Sequence, residues 1–199
     1  MRQSDRAAAT RGAILGAARE VFAVAGFTEA SIAEVVSRAG ASVGSLYHHF
    51  GGKADLYLAL FEDFQQRMEE RAASAVTRAR ELGETSPSAL FVEGSRSYLL
   101  GCWEERELAR LFLAGGGPAG FELVARRRYR EWARLNAALL SGFDDDAGTS
   151  AEVLVLVLTA VVSEAGQQVA IRESEEDARR LAGEVLALIA RVAEPRVDA

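Results

Sequence analysis

The chain is poor in residues that interrupt or cross-link a fold. Among its 199 residues there are three prolines, one cysteine and a single lysine, Lys53. One cysteine excludes an internal disulfide framework and points to a reducing, cytoplasmic compartment. Scarce proline beside abundant alanine, leucine, arginine and glutamate suits an all-α protein. The N-terminus is polar and charged, without the apolar region of a secretory signal. The most apolar run, Val153 to Val162, is flanked by Glu152 and Glu164 and is too short to span a bilayer. No membrane partner is expected.

Catalytic and metal-binding patterns are missing too. No Ser-His-Asp, Cys-His or paired-carboxylate arrangement is visible, so no enzyme is expected. Gly115 to Gly117 lacks the G-x-x-x-x-G-K-[ST] pattern of a phosphate loop. Asp144 to Asp146 lacks the spacing and closing glutamate of a calcium loop. His48 and His49 have no cysteine or carboxylate nearby at metal-ligand spacing. Neither a metal nor a cofactor is expected.

The most informative segment present is Ser31 to Leu56, SIAEVVSRAGASVGSLYHHFGGKADL. Ser31 and Glu34 form an S-x-x-E capping box, which starts a helix. Ile32, Val35, Val36 and Ala39 follow the spacing of one buried helical face. Gly40 is placed to end that helix in the left-handed conformation, and Ser42 to cap the next. Val43, Leu46, Tyr47 and Phe50 recur at helical spacing before Gly51-Gly52 breaks the pattern. Two helices of about two turns around a glycine-containing turn are a helix-turn-helix.

The run from Ala39 to Phe50, followed by Lys53 and Leu56, resembles the N-terminal DNA-binding domain of TetR-type transcriptional repressors. Upstream, Ile14, Ala18, Val21, Phe22, Gly26 and Phe27 are similar to that family's first helix and its ending. The resemblance covers roughly residues 10 to 60 and implies roles at matching positions. Ser31 would contact a phosphate from the start of the second helix. Ser42 caps the recognition helix, which Val43, Gly44 and Ser45 open, the small residues allowing close approach to the major groove. Tyr47 and His48 would touch backbone or base edges, and His49 and Lys53 phosphates. Leu46 and Phe50 would be core. Val43 departs from the polar or basic residue that relatives often carry there; it either touches a thymine methyl or packs.

The net charge is −6, which at first argues against DNA. Residues 1 to 53, however, carry six basic and four acidic side chains, or +2. The remainder carries seventeen and twenty-five, or −8. The acidity lies away from the DNA-reading end, and few phosphate contacts per subunit are expected, with an affinity that falls with salt.

The expected division is residues 1–53 for a helix-turn-helix domain and 54–199 for a helical effector-binding and dimerisation domain. Helices are expected over Lys53 to Arg80, Ser88 to Cys102, Glu107 to Ala114 and Phe121 to Leu140. Gly115 to Gly120 reads as a mobile loop, and Phe143 to Thr149 as a solvated one. Arg126, Arg127, Arg128, Arg130 and Arg134 read as a solvated face with salt-bridge partners rather than a second nucleic-acid patch. Aromatic side chains crowd this half, and a cavity between helices is a common ligand site. Candidate pocket residues are Phe64, Phe91, Tyr98, Cys102, Trp103, Phe112, Phe121, Trp132, Glu164 and Gln167. Cys102 alone reads as a buried structural thiol. Glu164, Gln167 and Gln168 face a pocket, an interface or water.

Val153 to Val162 is apolar on every side and must be buried all round if helical, although its alternation also fits a strand. A final helix, Glu175 to Val192, carries the stripe Leu181, Val185, Leu188 and Val192, and Pro195 ends it. The resemblance implies that the last two helices form a homodimer through these residues with Val155 and Val162. Such a dimer presents two recognition helices about 34 Å apart to a palindromic double-stranded operator. The resemblance further implies a repressor released by a small, largely apolar effector. The alternative is a helical interaction protein with the same fold and little sequence-specific DNA binding.

Overall fold

The computed structural model describes residues 3–113, 116–141 and 150–193. Helices α1 (Gln3–Glu29), α2 (Ile32–Ala39), α3 (Val43–Phe50), α4 (Lys53–Glu81), α5 (Pro87–Glu104), α6 (Arg106–Leu113), α7 (Phe121–Leu139), α8 (Ala151–Ala170) and α9 (Glu175–Ala193) account for nearly all of them. No strand occurs among the described residues. The solvated loop expected over Phe143 to Thr149 and the stop at Pro195 lie outside them.

The chain divides into two compact units. The first comprises Met1–Gln65 with Leu111–Val124, and the second Gln66–Arg110 with Ala125–Ala199. Helix α4 contributes residues to both. This compact division therefore falls differently from a cut at residue 53, because the first turns of α4 pack with the N-terminal helices. Leu56, Leu60 and Phe61 are buried there.

The core of the first unit is aromatic. Tyr57 meets Phe22, Phe27, Phe112 and Phe121 edge to face, with ring centroids 5.2–5.4 Å apart. Phe61 meets Phe112 and Phe121 in the same way. The Tyr57 hydroxyl lies 2.7 Å from the Gly116 carbonyl and 3.3 Å from that of Leu111. The described part of the expected mobile loop is therefore held by Tyr57.

Helix α1 breaks at Gly26, whose φ of 70° and ψ of −178° suit glycine. The chain then returns so that Phe27 faces Phe22 and Tyr57. The expected capping box does not form. Ser31 is the N-cap of α2 in extended geometry, but its side chain makes no cap bond. Glu34 instead pairs with Arg38 at 2.8 Å, and Arg38 also reaches Glu20 of α1 at 3.2 Å. A charged guanidinium is a stronger partner than a backbone N–H.

In the second unit α5 packs against α8 and α9, and those two against each other. Ser86 caps α5 with Pro87 in its first turn. Arg67 grips the buried Glu105 with two nitrogens, at 3.0 and 2.6 Å. Arg110 donates to the Ala170 carbonyl at 2.7 Å and closes the end of α8. Arg128 pairs with Glu69 and Glu131, and Arg127 with Glu131.

Two expectations about α8 are corrected. The segment is a helix of 20 residues, long and apolar enough to cross a membrane by length and composition alone; half of its most apolar stretch is buried in this chain, as in a core helix. Nor is it buried all round. Leu154, Val155, Leu158 and Val162 face the core, whereas Val153, Leu156 and Val157 are exposed. One chain supplies packing partners to only one side of the helix.

Candidate functional site

Two features stand out, one in each compact unit: an exposed helix face and a cavity. The face belongs to α3. Ser42 caps it by accepting from the Ser45 N–H at 3.1 Å. Gly51, with φ of 69°, ends it by donating to the Tyr47 carbonyl. Leu46 and Phe50 are buried and fix the inward side, and Arg11 lies over the Phe50 ring at 5.0 Å.

The outward side carries Ser42, Val43, Gly44, Tyr47 and His48, all exposed, with Ser45 and His49 half-buried at its edges. Val43 is 47% and Tyr47 52% exposed. Of the two alternatives for Val43, packing into the core is therefore not the one adopted. Ser31 is exposed at the start of α2, and the absent cap bond leaves its hydroxyl available to an outside acceptor. Lys53 also stabilises the fold itself. Its ammonium donates to the Thr28 and Ala30 carbonyls, at 2.9 Å each, and lies 4.9 Å from the Phe27 ring. Those two bonds hold the end of α1 and leave one N–H of the ammonium.

The cavity lies within the second unit and measures about 360 Å³, inside the range of small-molecule sites. Helix α4 lines it with Glu69, Ala72, Ala73, Val76, Thr77 and Arg80; α5 with Phe91, Gly94, Ser95 and Tyr98; α7 with Trp132, Leu135, Asn136, Ala138 and Leu139. Tyr98 stacks on Trp132 with centroids 5.1 Å apart. Behind Tyr98 lie Cys102 and Gly166. A Cβ at Gly166 would stand 2.8 Å from the Tyr98 ring, so glycine lets α8 approach that closely. Burial pushes the Tyr98 phenol well above its ordinary range and the Cys102 thiol up to about 12, so both stay neutral.

Of the expected pocket residues, Phe91, Tyr98 and Trp132 line this cavity. Phe64, Phe112 and Phe121 belong instead to the aromatic core of the first unit. Cys102 is buried behind Tyr98, and Trp103 lies under the Arg106 guanidinium at 4.7 Å. Glu164 is exposed and accepts from Gln168 at 3.0 Å. Neither Glu164 nor Gln167 borders the cavity.

Among the expected interface residues, Val155 and Val162 are buried within the chain's own core, on the inward side of α8. Leu181 and Val185 are half-buried, and Leu188 and Val192 exposed. Val153, Leu156 and Val157 are the large apolar side chains that α8 leaves in solvent. A strict helical phase read across the uniformly apolar run was the only signal that could have separated the two sets. Among the described residues no group of three or more His, Cys, Asp or Glu is arranged to hold a metal ion.

The family model of bacterial regulatory proteins of the TetR type matches residues 14–60, the stretch that forms most of α1, then α2, α3 and the start of α4. Over these residues the chain is similar to the TetR family. Similar curated proteins include the HTH-type transcriptional regulator CymR of Pseudomonas putida, 35% identical over 78 residues, which are 39% of this chain and 38% of CymR. The HTH-type transcriptional repressor AcnR of Corynebacterium glutamicum is 38% identical over 66 residues, 33% of this chain and 35% of AcnR. The chain thus spans little more than a third of the length of these curated relatives. Similarity of fold extends further. The transcriptional regulator FadR of Bacillus subtilis, solved in complex with stearoyl-CoA, matches with a TM-score of 0.75 at 16% identity, over 90% of this chain and 97% of FadR.

Proposed function

We propose that the protein is a ligand-responsive, sequence-specific DNA-binding regulator that acts as a homodimer in the cytoplasm and represses from a palindromic operator. The observation that carries this reading is the outward face of α3. It is small at Gly44 and Ser45, apolar at Val43, and polar-aromatic at Tyr47 and His48, on a helix fixed by buried Leu46 and Phe50. Such a face enters the major groove while Ser31, His49 and the remaining N–H of Lys53 reach phosphates. The DNA-reading domain on this view ends at residue 53, and residues from 54 onward bind effector and dimerise.

The homodimer is supported by apolar side chains that a single chain leaves uncovered on its last two helices: Val153, Leu156 and Val157 of α8, with Leu188 and Val192 of α9. Leu181 and Val185 extend the α9 stripe. Two-fold pairing there sets the recognition helices about one DNA turn, roughly 34 Å, apart.

The effector reading rests on the cavity between α4, α5 and α7. FadR of Bacillus subtilis, of similar fold, was solved with an acyl-CoA; here the cavity suits a small, largely apolar molecule. Such a ligand weakens operator binding if it favours the arrangement in which the recognition helices are misplaced. Helix α4 is the connecting element, since it carries Lys53 at one end and Val76 and Arg80 of the cavity wall at the other.

Fluorescence anisotropy with DNA from upstream of the protein's own gene, at two salt concentrations and against scrambled DNA, tests the reading. Tight, salt-sensitive binding that favours the upstream DNA is expected. Equal, weak binding to both, persisting after a genome-wide selection for operators, would leave the interaction-protein alternative.

A further inference from the structure

The cavity of the second unit is mostly apolar, yet two of its lining side chains are polar, deeply buried and incompletely partnered. Ser95 of α5 is 6% and Asn136 of α7 is 8% exposed. The Asn136 amide donates to the Thr159 hydroxyl at 2.9 Å. Its carbonyl oxygen accepts no hydrogen bond among the described residues, and the Ser95 hydroxyl makes none. Neither atom is sealed from solvent, and both residues line the cavity. Buried polar groups are as a rule hydrogen-bonded. An exception facing an open space is satisfied by what fills it.

We infer that the effector is an uncharged, ring-bearing molecule whose single hydroxyl donates to the Asn136 carbonyl and accepts from the Ser95 hydroxyl. This inference rests on the effector reading of the same cavity. The aromatic body follows from Phe91, Tyr98 and Trp132, whose rings form the wall. Neutrality follows from the charges. Glu69 on the lining is already paired with Arg128, and Arg80 is exposed, so no buried cation accompanies Ser95 and Asn136 among the lining residues. A carboxylate there would set its lone pairs against the Asn136 carbonyl and lose its hydration without a counter-charge. A hydroxyl, unlike a carboxylate, can both donate to the Asn136 carbonyl and accept from the Ser95 hydroxyl.

Isothermal titration calorimetry of the full chain with three probes of one shape tests this: 4-propylphenol, 4-propyltoluene and 4-propylbenzoate. The phenol is expected to bind about tenfold more tightly than the toluene, the value of a well-made hydrogen bond in a dry site, and the benzoate most weakly. Ser95→Ala and Asn136→Leu should each bring phenol and toluene within about threefold, with melting curves confirming that each variant is folded. If Asn136→Leu does not fold because Thr159 loses its partner, Ser95→Ala decides alone. Equal affinity for phenol and toluene, tightest binding of the benzoate, or a phenol preference that survives in the folded variants would overturn the hydroxyl assignment while leaving the cavity a ligand site. Failure of all three probes to bind a folded protein would overturn the effector reading itself, and this inference with it.

Discussion

In the first compact unit the ring of Tyr57 touches four other rings edge to face, whereas in the second the ring of Trp132 stacks on Tyr98, meets Tyr129 edge to face at 6.2 Å and also borders a cavity. Edge-to-face pairs add about 0.5–1.5 kcal/mol each beyond area burial, so the first arrangement defines one shape. That suits a unit that, on the proposed reading, holds α3 rigidly against DNA. The second arrangement gives up packing contacts around a space lined by Val76, Phe91 and Trp132, and leaves two polar atoms there, the Ser95 hydroxyl and the Asn136 carbonyl, without a protein partner among the described residues. Apolar surface left open in this way is where a ligand gains most by entering. One chain thus uses the same residue types for rigidity in one unit and for an open cavity in the other.

The comparison breaks first at the rings. Phe61→Ala should cost about 3–5 kcal/mol in urea unfolding, because it empties a fully packed site. Trp132→Ala should cost under about 2 kcal/mol, since one side of that ring already borders open space. Equal losses would erase the distinction between the units.

Next in size is association. Leu156 is 62% exposed on a helix whose other side is core. Leu156→Asp should weaken dimerisation by about 2–4 kcal/mol, seen as a monomer in sedimentation equilibrium at concentrations where the parent chain dimerises. An unchanged mass would remove α8 from the interface. Gly166→Ala comes third. Its added methyl would press on the Tyr98 ring, and a loss of about 1–3 kcal/mol should appear in thermal unfolding together with a reshaped cavity. A neutral effect would mean that Tyr98 shifts freely. The smallest expected change is Ser42→Ala, at about 1 kcal/mol, for removal of the α3 cap; the same unfolding assay with Ser31→Ala as control, where no cap bond exists, should show a smaller change.

The helix-turn-helix was legible because its signals are local. Glycines at turn positions, a serine cap and apolar spacing of three and four residues are all visible within Ser31 to Leu56. What depended on distant partners was not. Nothing near Lys53 in sequence indicates that its ammonium closes on the Thr28 and Ala30 carbonyls, and nothing near Ser31 shows that Glu20 of α1 also reaches the Arg38 that draws Glu34 from a capping box. The cavity was legible only in outline. Aromatic content marked the region, but Phe64, Phe112 and Phe121 joined the first unit's core. Ser95 and Asn136 gave no signal because burial of an isolated polar residue depends on three helices meeting. In α8 the uniformly apolar sequence hid which side faced inward, so Val155 and Val162 read as interface although they are core.

The measurement that bears most directly on the central claim compares the parent chain with Tyr47→Ala on the same selected operator, at matched salt, with dimer mass checked for both. Tyr47 is 52% exposed on α3 and packs into no core, so its truncation should leave fold and mass unchanged. Operator affinity should fall by about 1–3 kcal/mol, the range for loss of a specific DNA contact. An unchanged affinity in an intact dimer would contradict the assignment of the α3 face as the surface that reads DNA.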